Sequence, residues 1–171
     1  VNAGWVTTVN EYAVVSENRV TAIPSAVDPE IAALLGCAVT TGFGVVNHDA
    51  RLAIGESVAV FGAGGVGLSI VQAAALAGAH PIIAIDRFDN RLDLARSLGA
   101  THAVNVARTD TAGEVHRLVG PEGLDVAIDN TGNVEVIALA SRLTGPRGRT
   151  VLVGVPPAGA TAAISTLPLH F

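Results

Sequence analysis

The 171-residue sequence has no lysine and no methionine, a single cysteine, one tryptophan, one tyrosine and four phenylalanines. One cysteine, Cys37, excludes an internal disulfide. Nothing at the amino end reads as a signal peptide, so a reducing cytoplasm is the expected compartment. All ten basic residues are arginines scattered along the chain, and the net charge is −5. That balance, without a basic cluster, argues against a nucleic-acid partner. The aromatic residues are too few and too dispersed to form a base-stacking platform. Glycine, proline or charge interrupts every apolar run before it reaches membrane-spanning length, so no membrane partner is expected. The missing initiator methionine, the start at Val1-Asn2-Ala3 and the blunt end at Phe171 imply a piece of a longer chain.

What is present is apolar. Hydrophobic residues make up 50% and charged residues 15%, enough for one well-buried domain. Residues 11–24 read as two short strands joined at Glu17-Asn18 and closed by Pro24. A helix is expected over 25–36, with Asp28 as its cap, Pro29 in its first turn and Glu30 at its positive end. A second, small-residue helix should cover 37–46. From Glu56 onward strands and helices alternate. Strands are expected at 58–61, 82–85, 103–106, 125–128 and 150–155, with helices at 65–77, 90–98, 112–119 and 134–143. Several strands are apolar at consecutive positions, which suits a parallel sheet covered on both faces. The alternation implies an α/β fold with a doubly wound parallel sheet.

One turn concentrates glycine. In VAVFGAGGVG (58–67) four glycines fall inside six positions, between a strand and a helix. The spacing Gly62-x-Gly64-x-x-Gly67 gives each its own reason: a tight turn, bare backbone against a pyrophosphate, and close packing of helix on strand. The helix start then stabilises the phosphate charge. Asp86, at the end of the next strand, lies where an acid should accept hydrogen bonds from the adenine ribose and repel a 2′-phosphate. The pattern is that of a Rossmann-type dinucleotide site and favours NAD over NADP. Arg87 and Arg91 stand near that pocket and could accommodate a 2′-phosphate. S-adenosylmethionine-dependent methyltransferases use a similar turn and acid, and are the alternative from another class.

The runs GCAVTTGFGVVN (36–47), VAVFGAGGVG (58–67), AIDRFDNRLDLARSLGATHAVN (84–105), DNTGN (129–133) and VLVGVPP (151–157) together resemble the zinc-dependent medium-chain alcohol dehydrogenases. The glutathione-dependent formaldehyde dehydrogenase branch looks close. The resemblance implies that Cys37 is one ligand of a catalytic zinc and that Thr41 packs beside the nicotinamide. It implies that Gly62, Gly64, Gly65, Val66 and Gly67 form the pyrophosphate loop, with Val66 toward the nicotinamide side. It places Asp86 on the ribose, Arg91 near the adenosine, and Thr131 and Gly132 by the adenine half. The backbone of Val153 and Val155 should meet the nicotinamide carboxamide.

In that family zinc activates the alcohol and hydride passes to the nicotinamide. The family's other zinc ligands, its proton relay and its structural-zinc cysteines are not in this sequence, and it stops before the family's last sheet strand. The expectation is therefore a strip of the catalytic, GroES-like domain at 1–27 and an NAD-binding domain at 28–171. The parent would oxidise an alcohol or a thiol–aldehyde adduct; this stretch alone would bind NAD, hold no zinc and turn nothing over. A zinc-free relative of the quinone reductases is a further alternative. Pairing through an unpartnered sheet edge implies a homodimer or homotetramer.

Single residues also have plainer readings. Cys37 within this stretch alone reads as a small buried hydrophobe. His48, His80, His102, His116 and His170 have no ligand-type neighbour at metal spacing and read as solvated or structural. Asp125 and Asp129 read as solvated ends of one strand rather than as an acid–base pair.

Overall fold

The computed structural model describes residues 11–166. By its internal contacts the chain divides between Leu34 and Leu35. The described part of the first unit holds a turn of 3-10 helix at Glu17–Arg19 and helix α1 at Pro29–Leu34. The two strands expected over 11–24 do not form. An isolated hairpin needs a third strand or a covering face to persist, and every residue from 11 to 24 is exposed. The cap of α1 is as expected, the Glu30 N–H donating to the Asp28 carboxylate at 2.9 Å. His170 lies outside the described residues.

No helix boundary falls at Gly36. The helical run continues through π-type turns at Leu35–Val39 and Val45–Asp49, with helix α2, Thr40–Gly44, between them. The whole run, Pro29–Asp49, has a mean hydropathy of 1.5 and is long and apolar enough to cross a membrane. Gly36, Gly42 and Gly44 interrupt it, as the sequence reading expects. Gly42, Val45 and Val46 in its later half are buried.

The second unit is built on β1 (Val58–Phe61), β2 (Ile82–Asp86), β3 (His102–Asn105), β4 (Leu124–Asp129) and β5 (Thr144–Leu152). They form one parallel sheet in the order β3-β2-β1-β4-β5. The expected doubly wound, Rossmann-type α/β fold is therefore the observed one. Helices α3 (Gly65–Leu76), α4 (Asp89–Ser97), α5 (Thr111–Val119) and α6 (Val134–Leu143) connect the strands. β5 starts six residues earlier than the sequence predicts and ends before Val153.

Alternation along each strand sorts the core into two faces. Val58, Val60, Ile82, Ala84, Val126 and Ile128 pack in one cluster with Ile70, Val71 and Ala74 of α3. Ala59, Phe61, Ile83, Ile85 and Ala127 pack in the other with Val115 of α5 and Ala140 and Leu143 of α6. Both faces are covered, which is why these strands carry no polar alternation. The chain runs outward from β1 through β2 to β3, then returns to β4 on the other side of β1. The carboxyl ends of β1 and β4 thus flank a topological switch point, where such sheets bind ligands.

The opposite rim is held by charge. Arg149 donates to the Ala50 carbonyl at 2.6 Å and forms an ion pair with Glu56. Burial alone would raise the Glu56 pKa. Hydrogen bonds from Arg149 and from the Ala53 N–H, with the arginine's charge, outweigh it and hold the carboxyl below the usual glutamate range. A depressed carboxylate stabilises the fold above its unfolded pKa, and that contribution fades as pH falls through the folded one. Glu56→Gln should therefore cost about 1 kcal/mol at neutral pH. The gap to wild type should close as pH drops below about 4.5, in urea melts taken at several pH values. A gap that stays constant with pH would remove the ion pair as its cause.

Candidate functional site

The loop after β1 begins at Gly62, whose φ of +93° favours glycine. Its N–H donates to the Ile85 carbonyl at 2.8 Å. Gly67, in the first turn of α3, lies so close to this loop that a Cβ there would sit 1.8 Å from the Gly62 carbonyl oxygen. Gly64 is different. Nothing lies within 4 Å of where its Cβ would be. It is the N-cap of α3, and no side chain caps the helix there. The first N–H groups of a helix have no intrahelical partner. At α3 they open beside bare backbone, an arrangement suited to an anion. By contrast, Asp110 caps α5 and Asn133 caps α6.

This loop borders a cleft of about 560 Å³, lined among others by Gly62, Gly64, Asp86, Arg91, Asn130 and Thr131. The structure thus gathers six of the residues singled out from the sequence in one place: Gly62, Gly64, Asp86, Arg87, Arg91 and Thr131. Thr131 also borders a second hollow with Gly132 and Val155.

Asp86 is not a solvated strand end; it is 8% exposed. Its Oδ2 accepts from the Ala63 N–H at 2.8 Å, inside the glycine loop. Its Oδ1 accepts from the N–H groups of Arg87 at 2.7 Å and Phe88 at 3.0 Å. A carboxylate offers about four lone-pair positions, so these bonds leave room for roughly one further donor. The Arg91 guanidinium stands 3.7 Å from Oδ2, a long ion pair. Arg87 and Arg91 both stack on the Phe88 ring, at 4.8 and 4.9 Å from its centroid. Phe88 therefore holds both cations at the mouth of the cleft.

Other residues from the sequence reading lie elsewhere. Gly65 faces the Ala38 Cβ at 3.9 Å from its own virtual Cβ, and Gly42 packs against Ser69. These contacts lay the segment carrying Cys37 and Thr41 along the first half of α3. Thr41 is half-buried and Val66 packs beside the core cluster of that face. Cys37 is exposed, which corrects its reading as a buried hydrophobe. Val153 follows β5 and donates its N–H to the Asp129 carbonyl at 2.8 Å, while Val155 is 89% exposed.

Asp129 also departs from expectation, being completely buried. The turn after β4 folds back over its carboxylate and excludes water from it. Asp125 is exposed but not free, since it accepts from the N–H and the hydroxyl of Ser57, each at 2.8 Å. Asn130, Asn133, Val106 and Val136 line the main cleft without having been singled out. A signal for this wall was present: both IIAID and LDVAID end an apolar strand on Ile-Asp.

The residues present fit a dinucleotide, because a bare-backbone cradle, an uncapped helix start and a buried acid share one cleft. They do not fit a resident zinc. Among the described residues no three of His, Cys, Asp and Glu converge.

Comparison with known proteins bears on the same cleft. A family profile described as zinc-binding dehydrogenase matches residues 65–171. An S-(hydroxymethyl)glutathione dehydrogenase from Synechocystis sp. is 41% identical over 166 residues, covering 95% of this chain and 44% of that protein. A protein of the same name from Escherichia coli is 42% identical over the same share of each. Among solved structures, an alcohol dehydrogenase zinc-binding domain protein from Burkholderia ambifaria matches with a TM-score of 0.81 at 38% identity, over 86% of this chain and 40% of that one. A benzyl alcohol dehydrogenase from Acinetobacter calcoaceticus matches with a TM-score of 0.82 at 33% identity, over 86% and 41%. The chain spans less than half the length of the curated relatives it matches.

Proposed function

This chain belongs to the zinc-binding dehydrogenase family, and from that premise we propose that it is the part of an NAD-dependent dehydrogenase that holds the dinucleotide. The observation that carries the reading is the uncapped start of α3, which opens at bare Gly64 onto the cleft lined by Asp86. The pyrophosphate lies against Gly62, Gly64, Gly65, Val66 and Gly67. The ribose donates to the remaining acceptor position of Asp86, beside Arg91. Thr131 and Gly132 border the adenine half, and the backbone of Val153 and Val155 faces the carboxamide. Thr41 packs beside the nicotinamide. Bound there, the cofactor supplies a hydride acceptor; these residues bind and orient it.

For the longer protein we propose an alcohol or a thiol–aldehyde adduct as substrate, with residues 1–27 belonging to a catalytic domain whose remainder lies outside this chain. Cys37 is one zinc ligand only where such a protein supplies the others. β5 is a sheet edge among the described residues, which favours self-association in the longer protein.

Calorimetric titration of the 171-residue chain tests the reading. NAD should bind, and S-adenosylmethionine should give no heat. No binding of NAD would overturn it. Alcohol with zinc and NAD should give no reduction of the cofactor by this chain alone; turnover would show that it carries a complete active site.

A further inference from the structure

We propose that Asp129 is a positioning residue that joins the wall of the cleft to that of the adjoining hollow and sets the path of the nicotinamide half of the dinucleotide, an inference that rests on the cofactor reading above. One wall is the turn 130–133, which follows β4 and lines the cleft. The other is the segment 153–155, which follows β5 and brings Val155 to the adjoining hollow that Thr131 and Gly132 also border. Asp129 bonds to both. Its Oδ1 accepts from the Thr131 N–H at 3.1 Å and from the Thr131 hydroxyl at 2.6 Å. Its Oδ2 accepts from the Gly132 N–H at 3.0 Å. Its backbone carbonyl accepts from the N–H groups of Val153 at 2.8 Å and Gly154 at 3.1 Å.

The walls also touch each other directly. A Cβ on Gly154 would lie 2.1 Å from the Gly132 nitrogen, and a Cβ on Gly132 would lie 2.5 Å from the Val155 carbonyl oxygen. Backbone rests on backbone, so a displacement of the turn is passed to Val155. The same turn reaches β1, the Asn130 N–H donating to the Phe61 carbonyl at 2.9 Å. Thr131 extends the network, since its hydroxyl accepts from the Asn133 N–H at 3.1 Å.

A completely buried carboxylate with no ion-pair partner among the described residues is an expensive way to close a turn. Its three donors are neutral dipoles held in fixed directions. The neutral isostere cannot replace it. A carboxamide at this position must turn its nitrogen toward either the Gly132 N–H or the Thr131 donors, setting donor against donor where no water enters. The geometry asks for two acceptor oxygens, and the aspartate supplies both.

The test is Asp129→Asn in the 171-residue chain, titrated with NAD and with AMP at a temperature where the variant is fully folded. NAD should bind about tenfold more weakly, the equivalent of one lost buried hydrogen bond. AMP, which meets Thr131 and Gly132 but not Val153 or Val155, should weaken by no more than about threefold. Unchanged NAD affinity in the folded variant overturns the proposal, whatever happens to its melting temperature. So does equal weakening of AMP and NAD, the mark of general loosening. Where Asp129→Asn does not fold, Thr131→Val removes only the hydroxyl's bonds and keeps the buried charge. It should weaken NAD about threefold more than AMP, and equal effects on the two overturn the proposal. A wild-type chain that binds AMP and NAD not at all refutes the cofactor reading itself, and this inference with it.

Discussion

Gly64→Val should leave the chain folded, with less than about 1 kcal/mol lost, and weaken NAD at least about a hundredfold. Gly64 has φ −79° and ψ −170°, an extended conformation that a β-branched residue adopts readily. No protein atom lies within 4 Å of its virtual Cβ, so the new side chain meets no neighbour at that point. It would stand instead beside the N–H groups at the start of α3, in the place proposed for the pyrophosphate. Gly67→Ala is the contrasting control. Its methyl would lie 1.8 Å from the Gly62 carbonyl oxygen, so helix and strand must separate, at about 3 kcal/mol. Thermal melts together with NAD titrations separate the two cases. A folded Gly64→Val chain that still binds NAD as tightly as wild type would remove the phosphate from this loop.

Asp86→Ala should weaken NAD by about tenfold to a hundredfold and also destabilise the fold by about 2 kcal/mol. The two effects have separate causes. The first is loss of the proposed ribose acceptor. The second is loss of the bond to the Ala63 N–H, which is buried and has no water to turn to. Removing the carboxylate also removes the charge facing Arg91. Arg87 and Arg91 then stand at the cleft unopposed, held against Phe88, and their charges suit a 2′-phosphate. NADP should therefore lose less affinity than NAD, narrowing the preference between them. Equal losses for both cofactors would leave Asp86 as a loop clamp without a ribose role. Unchanged affinity for both would refute its place in the site altogether.

The strands of the second unit were legible because their cause is local. VAVF and IIAID are apolar at every position but the terminal aspartate, and only a sheet covered on both faces accommodates such runs. The glycine loop was legible for a similar reason, since the tight turn and the close approaches each demand a residue without a side chain. Residues 11–24 looked like strands on the same local grounds, yet a strand also needs a partner, and partners are not written in the strand. Cys37 looked buried because free cysteine usually is; exposure depends on what packs against its helix.

The sequence by itself determined the doubly wound sheet, the glycine turn after β1 and the acid at the end of β2, because each follows from periodicity or backbone geometry within a few neighbouring residues. Tertiary structure decided what those groups do to one another. Asp86 reaches the glycine loop across 23 positions. Asn130 approaches Gly62 across 68. Asp129 becomes a buried junction only once β5 lies beside β4. Burial and hydrogen-bond partnership are properties of space rather than of chain position. The walls of a cleft at a switch point come from segments that meet only after the sheet has reversed its order.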